Sequence, residues 1–164
     1  ATKFSWWVAR LKALGEMFDI LRIDHFIGFA NYYAIPATEE TARNGKYELG
    51  PGIKLFRRIQ KELPNLNIVA EDLGVVSKRV KKLLAATGYP GMKVLEFAFD
   101  TRDTGSAADY QPHNYIENSV VYTGTHDNET LVGWFGSISK EELQQRTNPE
   151  YMLNHIKELI SLFD

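Results

Sequence analysis

Apolar side chains recur at helical spacing from the start of the chain. Phe4, Trp7, Val8, Leu11, Leu14, Met17 and Phe18 predict an amphipathic helix over residues 4–18. A short run, Ile20-Leu21-Arg22-Ile23, follows and stops at Asp24; it is too short for a helix and suits a buried strand. Residues 25–52 hold Gly28, Pro36, Gly45 and Gly50-Pro51-Gly52, which predicts a long connection, and connections of that length usually carry function. Ile53, Phe56, Ile59 and Leu63 line one face of a second helix, stopped by Pro64. Ile68-Val69-Ala70 predicts a second strand that ends at Glu71-Asp72. Ser77 caps a third helix bearing Val80, Leu83 and Leu84, and Gly88 closes it. Residues 93–99 alternate with period two and predict a third strand, whereas the polar stretch 100–118 has no clear period. Ser119-Val120-Val121-Tyr122-Thr123 predicts a fourth strand, ending near Gly124-Thr125-His126-Asp127-Asn128. Two further helices are expected. One starts at Ser139 with Glu142 completing a capping box, the other at Asn148 with Pro149 in its first turn.

Strands separated by helices imply right-handed βαβ units and a parallel sheet, so the expected class is α/β. In such sheets the side chains at the carboxyl ends of strands face the ligand site, in open sheets and closed barrels alike. Asp24, Glu71 and Asp127 stand at or just past the ends of the first, second and fourth strands. Three acids in those positions are the main physical clue.

Composition narrows the options. A chain of 164 residues, 44% hydrophobic, is long enough to bury a sizeable core. The net charge of −2 offers nothing to nucleic acid or an anionic membrane, and Arg57-Arg58, Lys78-Arg79 and Lys81-Lys82 fall on solvated helix faces. No apolar run approaches the ~20 residues of a membrane-spanning helix. Without cysteine there are neither disulfides nor thiolate metal sites, and a reducing cytoplasm is the expected location. His25, His113, His126 and His155 show no HxxxH or HxH spacing, so no metal site is expected. Neither GxGxxG nor GxxxxGK[ST] occurs, which argues against a nucleotide or sugar-phosphate role. The chain opens on Ala1-Thr2-Lys3 without a methionine or leader and reads as a segment of a longer protein.

Cleaving a glycosidic bond needs a proton donor for the leaving oxygen and a carboxylate beneath the anomeric carbon. Retention of configuration needs those carboxyls ~5–5.5 Å apart. Acids on neighbouring strands can meet that distance, because adjacent strands lie ~4.8 Å apart. Arg22 lies two residues before Asp24, so both project to one face of a strand, and a guanidinium there favours the ionised carboxylate a nucleophile requires. The apolar run before Glu71 and the like charge of Asp72 favour retention of a proton, as a general acid requires. Each acid also has a plainer reading, as a helix cap or a surface ion-pair partner, and Asp72 before Leu73-Gly74 reads as such a structural acid. Phe4, Trp6 and Trp7 are expected in the core, whereas Tyr32, Tyr33 and Tyr47 in the long connection could stack on sugar rings.

The strings around the acids resemble the signature blocks of 4-α-glucanotransferases, glycoside hydrolase family 77. The matching blocks are Leu21-Arg22-Ile23-Asp24-His25-Phe26, Ile35-Pro36-Ala37 with Gly50-Pro51-Gly52, and Val69-Ala70-Glu71-Asp72-Leu73-Gly74. They continue through Tyr89-Pro90-Gly91-Met92-Lys93-Val94-Leu95 and Tyr122-Thr123-Gly124-Thr125-His126-Asp127-Asn128. A lone RxD would be weak, but these blocks keep the family's order over most of the chain. Two departures stand out. Ile27 occupies the place where this family usually has arginine, and Tyr33 and Tyr47 stand where tryptophan is common.

The resemblance implies a (β/α)₈ TIM barrel in which residues 1–164 form part of the catalytic domain, incomplete at both ends, with about the fourth to seventh strands. It implies Asp24 as nucleophile, Glu71 as general acid/base and Asp127 as transition-state stabiliser. Arg22, His25, His126 and Asn128 are implied as substrate-binding residues. The implied reaction transfers α-1,4-glucan segments between maltooligosaccharides, with no metal or organic cofactor. Alternatives are an isolated chain without activity, an α-glucan hydrolase of the same clan, or a non-catalytic glucan-binding module.

Overall fold

A computed structural model describes residues 3–74, 76–99 and 107–138. By their contacts the residues divide into two compact units, Ala1–Lys93 with Ile116–Val120, and Val94–Tyr115 with Val121–Asp164.

The first unit opens with helix α1 (Ser5–Gly15), followed by strand β1 (Ile20–Ile23). Leu11 is buried, and Phe4, Trp7 and Leu14 pack against the same core. The helix is shorter than its periodicity predicts. It stops at Gly15, whose bare Cα admits Leu66 Cδ1, and Met17 and Phe18 beyond it stay exposed. Trp6 also departs from expectation: it lies outside the core with the Arg10 guanidinium 5.3 Å over its ring.

The connection after β1 is structured. A 3-10 turn at Phe26–Phe29 leads into an antiparallel hairpin of β2 (Asn31–Ala34) and β3 (Lys46–Leu49). Its cross-strand pairs set Tyr33 opposite Tyr47 and Tyr32 opposite Glu48. Helix α2 (Ile53–Glu62) buries Leu55, Phe56 and Ile59, and Pro64 follows it as predicted. Strand β4 (Asn67–Ala70) then pairs in parallel with β1, in the register Ile20↔Asn67 to Ile23↔Ala70. Helix α3 (Lys78–Thr87) begins at Ser77, whose Oγ accepts the Val80 N–H, and ends at Gly88 with φ 70°. Its Val80 and Leu83 join the core. Phe26 is the central plug, fully buried, with its ring 5.0 Å from Phe56, which in turn meets Tyr89 at 5.7 Å.

Strand β5 (Gly91–Val94) ends earlier than the alternation of residues 93–99 suggests. Leu95–Phe99 forms a 3-10 helix, in which Leu95 and Ala98, three residues apart, share a buried face. The opening residues of β5 and of β6 (Ser119–Tyr122) lie as neighbouring strands within the first unit. In the second unit Phe97 packs edge-on against Tyr110 at 5.3 Å. A helix that the apolar pattern does not predict, α4 (Leu131–Ser137), is capped by Thr130, whose Oγ1 accepts the Gly133 N–H. The helices expected from Ser139 and Asn148 lie outside the described residues. Among the described residues no helix is long and apolar enough to cross a membrane.

Candidate active site

The register of β1 against β4 builds the site. Ile23 pairs with Ala70, so Asp24 and Glu71 are the next residues on two adjacent parallel strands, and the Glu71 N–H donates to the Ile23 carbonyl at 2.9 Å. Leu21 and Ile23 point into the core, which turns Arg22 and Asp24 to the other face. There the Arg22 Nη2 lies 2.7 Å from Asp24 Oδ1, as the i, i+2 spacing predicts. The second fork of the guanidinium, Nε–H, donates to the sulfur of Met92 at 3.3 Å. Asp24 itself is mostly open to solvent.

Glu71 is held by backbone donors. Its Oε2 accepts the His25 N–H at 2.7 Å and its Oε1 accepts the Leu73 N–H at 2.8 Å. The same residue's carbonyl accepts the Phe26 N–H at 2.8 Å. The bonds to His25 and Phe26 hold a sharp turn in which His25 takes left-handed angles, φ 48° and ψ 49°. The His25 ring lies over Gly28, where an added Cβ would meet Nδ1 at 2.7 Å.

Beside the turn is an open depression of about 380 Å³ lined by Trp7, Asp24, His25, Phe29 and Tyr32. Aromatic walls with a carboxylate at the edge suit a pyranose ring, which offers an apolar face and polar rim. Of the three tyrosines singled out in sequence, only Tyr32 lines this depression. Tyr33 and Tyr47 pack against each other at 5.2 Å, and the Tyr33 hydroxyl donates to the Ala42 carbonyl. Ile27 packs against the core.

Asp72 has the structural role expected of it. Its Oδ1 accepts the Met92 N–H at 2.8 Å, and the bare Cα of Gly91 leaves room for the carboxylate. Burial pushes its pKa above the ordinary value of 3.8, against the opposing pull of the Met92 N–H and Lys93.

Asp127, His126 and Asn128 belong to the second unit. His126 Nε2 lies 3.4 Å from Asp127 Oδ1, with both side chains exposed. The turn is held by Asn128, whose Oδ1 accepts both the N–H and the Oγ1–H of Thr125, at 2.9 and 2.8 Å. Against this turn packs a carboxyl that the sequence pattern does not single out. Glu96 is buried, its Oε1 has no hydrogen-bond partner, and burial with the nearby charge of Glu129 raises its pKa. The period-two pattern of its segment made it look like a strand residue, and only its acidity within an apolar run marks it. Among the described residues no group of three His, Asp or Glu side chains is arranged to hold a metal ion.

Residues 1–160 match the family described as 4-alpha-glucanotransferase. The chain belongs to that family. A 4-alpha-glucanotransferase of Synechocystis sp. is 49% identical over 150 residues, covering 90% of this chain and 29% of the relative. The chloroplastic/amyloplastic 4-alpha-glucanotransferase of Solanum tuberosum is 45% identical over 157 residues, covering 94% and 26% respectively. Among solved structures, an amylomaltase from Streptococcus agalactiae in complex with acarbose superposes with a TM-score of 0.75 at 44% identity, over 86% of this chain and 28% of that one. The chain therefore spans less than a third of the length of these relatives, and the match identifies an α/β segment of a 4-alpha-glucanotransferase.

Proposed function

We propose that the complete protein carrying this chain transfers α-1,4-glucan segments between maltooligosaccharides by a retaining double displacement. In the first step the Asp24 carboxylate attacks the anomeric carbon while Glu71 gives its proton to the departing glycosidic oxygen. A glucan is then held on Asp24 as an ester. In the second step Glu71 takes the proton of an incoming 4-hydroxyl, whose oxygen attacks the same carbon and frees Asp24. Asp127, with His126, stabilises the positive charge that develops on the sugar. Arg22, His25 and Asn128 position the substrate and its supporting turns. On this reading residues 1–164 are part of a (β/α)₈ barrel, with β1, β4, β5 and β6 as about its fourth to seventh strands.

The observation that carries the proposal is the register Ile23↔Ala70. It makes Asp24 and Glu71 the next residues on two adjacent parallel strands, whose backbones lie ~4.8 Å apart, and this supports a close carboxyl pair of the kind a retaining mechanism uses. The aromatic depression beside Asp24 and the family membership support the same reading.

Incubation of the complete protein with maltotriose tests it. Glucose together with longer maltooligosaccharides is the expected product set, and Asp24→Ala abolishes both. Glucose and maltose without longer products would place the protein among the hydrolases of the clan. Full activity in Asp24→Ala would remove the nucleophile assignment. The 164-residue chain alone is expected to be inactive, because Ile20, Met17 and Phe18 are exposed apolar surface at the start of β1, which suits a missing neighbour. Disproportionation by the isolated monomeric chain would overturn that.

A further inference from the structure

We infer that Met92 is a positioning residue for the nucleophile, its sulfur holding the Arg22 guanidinium in the orientation that presents it to Asp24. The inference rests on the assignment of Asp24 above. Arg22 is a bridge: Nε–H donates to Met92 Sδ at 3.3 Å, and Nη2 meets Asp24 Oδ1 at 2.7 Å. A guanidinium on a long flexible stem spends several rotamers' worth of entropy to hold one geometry, and a second anchor keeps its planar fork in register with the carboxylate.

The chemistry of the second anchor matters. A thioether is a weak, neutral, polarisable acceptor. It occupies the Nε–H without neutralising the cation, so the positive charge stays directed at Asp24. A carboxylate in the same place would compete with Asp24 for that charge.

The sulfur sits on a fixed platform. Met92 is 3% exposed at the start of β5. Its backbone N–H is bound by Asp72 Oδ1 at 2.8 Å, an approach possible only because Gly91 lacks a Cβ, which would meet that oxygen at 2.7 Å. One residue earlier, the Pro90 carbonyl accepts the Ala70 N–H at 2.9 Å and ties the entry of β5 to the end of β4. Asp72, Met92, Arg22 and Asp24 thus form one chain of contacts from a half-buried carboxyl to the proposed nucleophile. A plain packing role for Met92 explains its burial but leaves the directed Nε–H contact without purpose.

The test uses the complete protein and maltotriose. Met92→Leu removes the acceptor at nearly constant volume, and Met92→Gln restores a neutral acceptor of similar reach. Met92→Leu is expected to lower kcat by on the order of ten- to a hundredfold with KM nearly unchanged, since a small misplacement of a reacting group acts on the chemical step. Met92→Gln recovers most of that loss. In an Arg22→Lys background, which has no Nε–H, Met92→Leu adds no further loss. Wild-type kcat in Met92→Leu, or a loss that simply adds to that of Arg22→Lys, overturns the inference. If Met92→Gln unfolds, as read from its thermal midpoint, the Arg22→Lys cycle still decides. Asp24→Ala is measured alongside. Activity retained there overturns the functional reading itself, whereas an inactive Asp24→Ala beside a fully active Met92→Leu overturns the role of Met92 alone.

Discussion

The carboxylate of Glu71 fastens the backbone of His25: Oε2 accepts the His25 N–H at 2.7 Å, in a turn that gives His25 a φ of 48°. A side chain with a Cβ resists that conformation by roughly 1–2 kcal/mol, so the turn persists only because something holds it. Glu71 supplies two of the bonds that do, through Oε2 to His25 and through its carbonyl to Phe26, while its Oε1 accepts the Leu73 N–H in its own loop. Phe26, fully buried, anchors the far end of the turn. The proposed proton donor and the geometry around the proposed nucleophile are therefore one mechanical unit.

Glu71→Gln tests that unity. A carboxamide has one acceptor oxygen and one NH₂, so one of the two N–H groups bound in the native protein faces another donor. Turnover is expected to vanish and the folded state to lose on the order of 1–3 kcal/mol, the cost of leaving a backbone donor unmet. Circular dichroism melting of the complete protein checks it. An inactive variant with an unchanged melting curve would mean the fastening contributes nothing to stability.

Gly28→Ala separates the His25 ring from the rest of the turn. The new methyl would lie 2.7 Å from Nδ1 and 3.0 Å from Cε1, so the ring must swing out of its place beside Asp24. The cost falls on a side chain free to rotate, so stability changes by less than about 1 kcal/mol. Activity on maltotriose is expected to fall at least tenfold, an effect on the order of 1.4 kcal/mol in the barrier. Unchanged kcat/KM in Gly28→Ala would show that the ring takes no part in catalysis.

Ser77→Ala is the complementary case, far in role from the chemistry. Ser77 Oγ caps α3 through the Val80 N–H, and Val80 is fully buried in the core. Loss of the cap is expected to cost about 1 kcal/mol while kcat/KM stays as it was. A urea titration beside a maltotriose assay distinguishes this from a site effect.

The strand-end acids were legible in sequence because the runs before them are short, apolar and bounded, and because the spacing of Arg22 and Asp24 forces them onto one face. α2 and α3 were legible for the same kind of reason, a clear apolar stripe with Pro64 or Ser77 and Gly88 at the ends. α4 was not, since Gly133 and Gly136 in seven residues read as breakers while the cap at Thr130 was the only positive signal. The β2–β3 hairpin escaped because Tyr32, Tyr33 and their neighbours do not alternate with polar residues. Residues 95–99 misled by alternating like a strand while packing as a 3-10 turn. Met92 was invisible as anything but a strand residue, because its partner Arg22 lies 70 positions away and the link exists only in three dimensions.

The last prediction concerns pH and Asp72. Burial raises its pKa above 3.8, so the folded protein keeps this proton to higher pH than the unfolded chain does. In the window between the two values the unfolded state binds fewer protons, and stability must fall as pH rises through it. The contribution is fully present below 3.8 and is lost once pH passes the folded value. Asp72→Asn removes the titration while keeping an oxygen for the Met92 N–H. Thermal midpoints of both proteins from about pH 3 to pH 7 bracket the ordinary carboxylate range. The melting difference is expected to move in favour of Asp72→Asn as pH rises. Movement the other way would mean that the Met92 N–H and Lys93 outweigh the burial of the carboxylate, and that the charged form of Asp72 is what holds β5 in place.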